Sequence, residues 1–585
     1  MRRFFFLLLG LALLAALNLF APSASAQTRV PRLSFKERTL PNGMRVISEE
    51  DHSSPTVAIN VWYHVGSKDD PEGRSGFAHL FEHMMFKSTR NMKSEMMDRL
   101  TEDVGGQNNA FTADDVTVYW EIVPSNYLET LLWAEGDRLA GLNVINESFL
   151  SERDVVKEEF RQSYVAPPYG KLNLLIDQKS FTTHPYRRPG IGNIDELNAA
   201  SLENVRAFHE TYYRPDNATL VVVGDFDQKQ LDAWVDKYMA RIPKPATPLP
   251  RVNIKEPERT KEARYTDYGP NVPLPAVAIT YLAPGAASDD AAALTVADAI
   301  LSGGASSRLY QSLVYQKQLA QTATSIIDLR EDLGLFQLRS VLASGKKPED
   351  AESALLAEIK RLQDQAVGAA ELEKAKNQLV AEQLRQIETN NGKAQAIGNA
   401  AVILGDANRV NTDLERLQKV SAADVQRVMR KYFADTNRVV IYYLPESMRG
   451  AGGATGMNEN STPPTRAAAE TQRATPGAAA NISGDKKDSH TLSSEREVSA
   501  AAKSERPRGK NGKLISGKVE VEVVINEEGR VISAKAISGP KELRSAGERA
   551  AYEARFTKTV QSGQPVKVKG IITYNFVSED AEGGK

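Results

Sequence analysis

Gly76-Phe77-Ala78-His79-Leu80-Phe81-Glu82-His83-Met84-Met85-Phe86 mixes apolar and polar residues with the period of a helix, and its polar positions are His79, Glu82 and His83. At 100° per residue the two histidines stand one turn apart and Glu82 shares their face, so two imidazoles and a carboxylate converge on one point. Two imidazoles suit a tetrahedral metal, and the carboxylate stands where it can take a proton from a water instead of ligating. Two surface histidines on an amphipathic helix would read the same way. The chain has only seven histidines in 585 residues, however, which makes a chance pairing at this spacing rare.

One helical turn supplies two ligands, whereas a catalytic zinc takes three from the protein and keeps one position open. Ser151–Arg161 reads as a charged helix, and Glu159 lies 76 residues after His83. The His-x-x-Glu-His order, inverted from the His-Glu-x-x-His of common zinc proteases, marks the inverzincin pattern. With a glutamate this far downstream, the chain resembles the pitrilysin, insulin-degrading and mitochondrial processing peptidase family. The resemblance implies one Zn²⁺ per chain held by His79, His83 and Glu159, with Glu82 as catalytic base. It also implies that Glu152, seven residues before Glu159, sits behind the ligands and orients one of them. Glu158 is the rival ligand, but on a helix it points about 100° away from Glu159. Gly105-Gly106-Gln107-Asn108-Asn109-Ala110-Phe111-Thr112 and Asp115-Val116-Thr117-Val118-Tyr119 resemble the family's edge strand beside the zinc. Asn109 and Ala110 are then expected to pair with substrate backbone, and the same stretch also reads as a hairpin with a Gly-Gly turn. The resemblance runs over roughly residues 35–447, about three quarters of the chain.

Sliding the chain against itself by 220 positions aligns two blocks without gaps. Val57-Ala58-Ile59 falls on Val277-Ala278-Ile279, and Asp69-Asp70 on Asp289-Asp290. Ser201, Val205, Tyr212 and Asn217 fall on Ser421, Val425, Tyr432 and Asn437, each time ahead of an apolar strand. The expected fold class is α+β: two duplicated peptidase-type α+β domains, zinc-bearing over 35–245 and inactive over 250–447. In the second copy the motif positions become Ala299, Ser302 and Gly303, so it cannot hold the metal, and it is expected to form the other wall of the site. Many family members carry in this domain an Arg, and seven residues later a Tyr, that reach the substrate. Val314 and Gln321 stand there instead, with Arg308 and Tyr315 nearby but out of register.

The ends of the chain carry their own signals. Met1-Arg2-Arg3, an apolar run and Ala24-Ser25-Ala26 describe a secretory signal peptide over 1–26, with an uncleaved membrane anchor as the alternative. The expected location is the periplasm or cell envelope. With no cysteine, the chain has neither disulfides nor thiolate ligands, so histidine and carboxylate must bind any metal. A formal net charge of −2 leaves no nucleic-acid footprint. Residues 448–510 are dominated by small and charged types and read as a disordered linker. Over 511–579, Val519, Val521, Val523 and Ile525 alternate with polar residues, a turn leads to a second strand, and a helix and a last strand follow. This small ββαβ domain resembles the C-terminal domain of TonB-type transducers, which implies docking of a partner's extended segment in the envelope.

Together these readings describe an exported zinc metalloendopeptidase acting on peptides or unfolded protein segments. Without that Arg and Tyr, either carbonyl polarisation is left to zinc alone or a partner chain contributes the pair, and a homo- or hetero-oligomer with a related subunit is the expected assembly. The rival readings are a subunit of a hetero-oligomeric peptidase and a non-catalytic envelope assembly or docking protein.

Overall fold

The computed structural model describes residues 31–449, 517–526, 530–554, 560–561, 564–565 and 568–576. The signal peptide expected over 1–26, and all but the first two residues of the linker expected over 448–510, lie outside the described residues. The described residues fall into two units, divided between Gly456 and Met457.

The first unit contains two sheets. Strands β1 (Lys36–Thr39), β2 (Arg45–Glu50), β3 (Thr56–Tyr63), β4 (Gln107–Thr112), β5 (Thr117–Pro124) and β6 (Ala218–Gly224) lie in the order β1-β2-β6-β3-β5-β4. Strands β7 (Ala263–Gly269), β8 (Ala276–Pro284), β9 (Ala320–Asp328), β10 (Leu333–Leu342) and β11 (Arg438–Pro445) lie in the order β7-β11-β8-β10-β9. Each sheet has one parallel pair, β2 with β6 and β7 with β11, followed by antiparallel pairings out to an edge at β4 or β9. The duplication is thus visible in topology, and it extends to single hydrogen bonds. Ser201 and Ser421 each cap a helix by accepting an N–H at 3.2 Å, from Asn204 and Asp424. Asn217 Nδ2 donates to Tyr212 O at 2.9 Å, and Asn437 Nδ2 to Tyr432 O at 2.7 Å.

Among the helices of this unit are α1 (Phe77–Met84), α2 (Asn146–Phe160), α3 (Gly170–Ser180), α4 (Ala291–Ser302), α5 (Ala369–Gln386) and α6 (Asn390–Val402). Side chains alternate across a strand, so Val57, Ile59, Val61 and Tyr63 of β3 share one face and pack with Phe77, Leu80 and Phe81 of α1. Ala58 and Trp62 point the other way, where Ala394, Ile397 and Ala401 of α6 cover them. The second half therefore backs the first sheet. In return, Leu172, Leu175 and Ile176 of α3 pack on Ala276, Ala278, Val439 and Ile441 of the second sheet. The two exchanged helices begin 220 positions apart, so the exchange itself is part of the duplication. Burying Ile397 alone contributes about 1.5–3 kcal/mol. A Cβ at Gly398 would stand 2.2 Å from the Trp62 indole, so only glycine lets α6 lie this close.

Polar contacts pin the exchange. Lys393 of α6 pairs with Asp51, and Asn390 Nδ2 donates to Thr56 O at 3.0 Å. Lys68, buried between the halves, pairs with Asp115 at 2.9 Å, Glu331 at 2.5 Å and Asp332 at 3.2 Å. No helix among the described residues is long and apolar enough to cross a membrane.

In the tail unit, β12 (Gly517–Ile525), β13 (Val531–Ser538), helix α7 (Lys541–Glu553) and β14 (Val568–Phe576) give the expected ββαβ order, with sheet order β13-β12-β14. Val519, Val521, Val523 and Ile525 are buried on one face against Leu543 and Ala551 of α7, as their alternation predicts.

The Lys393 ammonium, with help from Ser53, holds Asp51 down to about 2. Because the folded value lies below the unfolded one, near 4, the stabilisation is present above about pH 4 and is lost as pH falls toward 2. Lys393→Met is expected to lower the urea midpoint near pH 6, with the gap to the unaltered chain closing as pH approaches 2. Denaturation curves over that range check it.

Candidate metal centre

Helix α1 begins where the chain allows no side chain. Gly76 has φ of 101°, and a Cβ there would stand 2.8 Å from Gly192 Cα. Asp70 caps the helix: Oδ2 accepts the Gly76 N–H at 2.6 Å and Oδ1 the Ala78 N–H at 2.9 Å. Burial pushes Asp70 up to about 7, against the pull of those two donors. Tyr119 Oη donates to Phe81 O at 3.1 Å, and Phe81 stacks on Phe208 at 5.6 Å, so the apolar side of α1 is fixed to the sheet and to the helix behind it. His79, Glu82 and His83 then occupy the opposite side.

Helix α2 supplies the carboxylates. Glu152 and Glu159 lie two turns apart on one face, as their spacing predicts. Glu159 Oε2 is 3.4 Å from His83 Nε2 and 3.6 Å from His79 Nε2, and the three donor atoms lie within 4.8 Å of one another. Two ligand atoms about 2.0–2.1 Å from a tetrahedral ion stand about 3.3–3.4 Å apart, so the trio fits a zinc-sized ion. Among the described residues this is the one group of three such side chains able to hold a metal. Glu158 turns outward and pairs with Arg161 at 2.8 Å, so it is not brought to the trio.

The electrostatics suit ligation. Burial, reinforced by His83, depresses His79 to about 3, which keeps the imidazole neutral with a lone pair to offer. Burial also works against a charge on His83, but Glu152, Glu82 and Glu159 outweigh it and raise its value. Glu152 lies behind His83, with Oε2 at 3.6 Å from Nδ1, while its Oε1 takes Lys87 Nζ at 3.0 Å. Burial would raise Glu152, but His83 and Lys87 bring it below the usual glutamate value. Glu82 is raised by burial, although Thr112, whose Oγ1 donates to Glu82 Oε2 at 2.7 Å, pulls it down.

Asn109 and Ala110 sit in β4, paired through Trp120 and Tyr119 to β5, at the edge of the sheet. Asn109 Oδ1 accepts the Ala110 N–H at 2.8 Å, a bond that an added strand would displace if it took the Ala110 N–H. Around the trio the partners come from the first half of the chain. Helix α6 of the second half lies across the sheet face away from α1, while Arg330 and Glu331 reach Asp114 and Asp115, just beyond β4. Arg308 is held by Glu371 at 2.7 Å, and Tyr315 is 69% exposed.

Three contributors escaped the sequence reading. Lys87 had a signal, since it follows His83 by one turn. Asp70 had a weaker one, the Asp-Asp pair repeated at Asp289-Asp290. In the second copy that aspartate serves a different end, holding Arg427 at 2.6 Å and Lys431 at 2.8 Å. Thr112 had none, because nothing local ties a strand-end hydroxyl to a helix 30 residues earlier. The sequence also reads α2 as continuing through Arg161, whereas a π-helical turn takes over at Arg161–Val165.

The second copy carries none of the three side chains. Ala299 and Gly303 at the end of α4, and Leu379 in α5, stand 220 positions after His79, His83 and Glu159. With Ser302, at the Glu82 position, they line one cavity of about 540 Å³.

Residues 45–167 match the family model described as insulinase (peptidase family M16), and residues 199–379 match the peptidase M16 inactive domain. Residues 509–577 match the Gram-negative bacterial TonB protein C-terminal model. Zinc protease PqqE of Helicobacter pylori is 29% identical over 442 residues, which is 75% of this chain and 98% of that protein. The uncharacterized zinc protease YmxG of Bacillus subtilis is 24% identical over 406 residues, 68% of this chain and 96% of that protein. The crystal structure of a protease from Helicobacter pylori matches with a TM-score of 0.69 at 28% identity, covering 71% of this chain and 100% of that one.

Removing the cap of α1 should loosen the helix that carries both histidines. Asp70→Ala is expected to cost about 0.5–2 kcal/mol and to weaken metal retention, with Asp70→Asn milder. Urea denaturation and metal content after desalting check both effects.

Proposed function

The chain belongs to the insulinase family, peptidase family M16, and from that membership we propose that it is an exported zinc metalloendopeptidase that hydrolyses peptides or unfolded protein segments. The observation that carries the reading is the convergence of His79 Nε2 and His83 Nε2 on Glu159 Oε2, at 3.6 and 3.4 Å, within a set of three donor atoms no more than 4.8 Å apart. These three hold one Zn²⁺ per chain, which supplies a Lewis acid and a water that is acidic near neutral pH. Glu82, which is no part of the ligand trio, accepts the proton of the attacking water and delivers it to the leaving amine nitrogen. Glu152 orients His83 through Nδ1, and Lys87 keeps Glu152 from turning away. Asn109 and Ala110 pair with the backbone of an extended substrate, which reads main chain more than side chains and so favours unfolded segments.

Export rests on the basic start, apolar run and small-residue end of residues 1–26, which direct the chain to the periplasm or cell envelope. In the tail, β13 is an edge strand with Ile532 and Ile537 exposed, a surface on which an extended segment of an envelope protein can add as a strand. Val314 and Gln321 stand where many family members carry the Arg and Tyr, and Arg308 is committed to Glu371, so carbonyl polarisation falls either to zinc alone or to a related subunit that contributes the pair.

Glu82→Gln is expected to keep zinc at one ion per chain while losing turnover of a quenched peptide library by more than about a hundredfold. His79→Ala, His83→Ala and Glu159→Gln should lose the metal, and Glu158→Gln should keep it. Normal zinc content in Glu159→Gln would remove it from the ligand set. For the oligomer, the purified chain should turn over slowly and be stimulated by a co-purified family member carrying the Arg and Tyr. High turnover by the isolated chain would remove the need for a partner.

A further inference from the structure

Thr112 is the last residue of β4, the strand on which the peptide is read as lying, and its side chain turns inward to the base. Its hydroxyl has one proton and two acceptors nearby. Glu82 Oε2 is at 2.7 Å and Thr117 Oγ1 at 3.4 Å, and only the first lies within the range of an O–H···O bond. Thr117 gives its own proton to Val65 O at 3.0 Å. The Thr112 proton is therefore committed to Glu82, and among the described residues no other side chain hydrogen-bonds that carboxylate. An ionised carboxylate only accepts, so the hydroxyl, with the Thr112 backbone N–H beside it, anchors the Glu82 carboxylate and leaves its remaining lone pairs for an incoming proton. The terminal torsion of a glutamate has a broad, roughly twofold profile, so without the hydroxyl Glu82 is held less tightly.

We propose that Thr112 is a positioning residue that fixes the orientation of the Glu82 carboxylate and ties the base to the strand that binds the peptide. β4 is paired to β5 from Gln107 through Thr112, so the hydroxyl moves with the whole strand. Backbone pairing of the substrate and placement of the base then share one rigid element, which favours a peptide fully seated along β4 over one held only near the scissile bond. The proposal rests on reading Glu82 as the catalytic base.

The test compares Thr112→Val, which replaces the hydroxyl by a methyl, with Thr112→Ser in the full chain on a quenched peptide library. Removing a hydrogen bond to a charged group should lower kcat of the Val variant about ten- to a hundredfold. KM should stay within about twofold and zinc content should not change, since neither ground-state pairing nor ligation uses the hydroxyl. Thr112→Ser should recover kcat to within about threefold of the unaltered chain. A Val variant with unimpaired kcat, or a Ser variant as slow as Val, would overturn the proposal. Glu82→Gln run alongside separates the two failures. If it is inactive while Thr112→Val is unimpaired, only the positioning role falls, whereas an active Glu82→Gln removes the base itself.

Discussion

Each large sheet has one face that its own half of the chain cannot cover, and the structure is organised around solving that. Central strands such as β6, Ala-Thr-Leu-Val-Val-Val-Gly, are buried along their whole length, which holds only if both faces of the sheet are packed. The exchange of α3 and α6 supplies the missing layer on each side. The first sheet thereby becomes a rigid backing for α1, whose aromatic side has no freedom to shift without opening the core. Two histidines on a helix so seated keep their spacing without help from an ion, which is the preorganisation a catalytic metal site needs.

Burial then does chemical work at that site. It opposes charge on His79 and favours a neutral imidazole, while the glutamates around His83 compensate for the same effect there. The two imidazoles are thus pushed in opposite directions, and Glu159 is the most exposed of the three side chains. Burial raises Glu82 above the value of a surface glutamate, and Thr112 pulls it part of the way back. The second copy gives the contrast. With alanine, glycine and leucine at the ligand positions, the same helix pair encloses a cavity instead of an ion site, while the surrounding topology is kept. Duplication preserved the frame, and the chemistry stayed on one side of it.

How much of this was legible in the sequence depended on the range of the interaction. His79, Glu82 and His83 were readable because helical periodicity places them locally, and Glu159 was readable only through family resemblance, since no local rule spans that gap. The alternation of Val519 to Ile525 and the paired capping serines were readable for the same local reason. The covering role of α6 was not. Its buried face is mostly alanine and glycine, a pattern that says little until Trp62 and Val223 are known to lie beneath it. The π-helical turn after Phe160 was hidden too, because a change of hydrogen-bond register leaves the polar pattern of Arg161–Val165 looking like more helix. Thr112, Asp70 and Lys87 act through geometry between elements, which composition and spacing do not encode.

The central claim is that one zinc ion is held by two imidazoles and one carboxylate, with a position left open for water. Zinc K-edge X-ray absorption on the zinc-loaded full chain measures that directly. The account predicts a four-coordinate shell of nitrogen and oxygen at about 2.0–2.1 Å, with the outer-shell scattering of two imidazole rings. A shell of six oxygens, scattering from three imidazoles, or a chain that releases its zinc on desalting would contradict it.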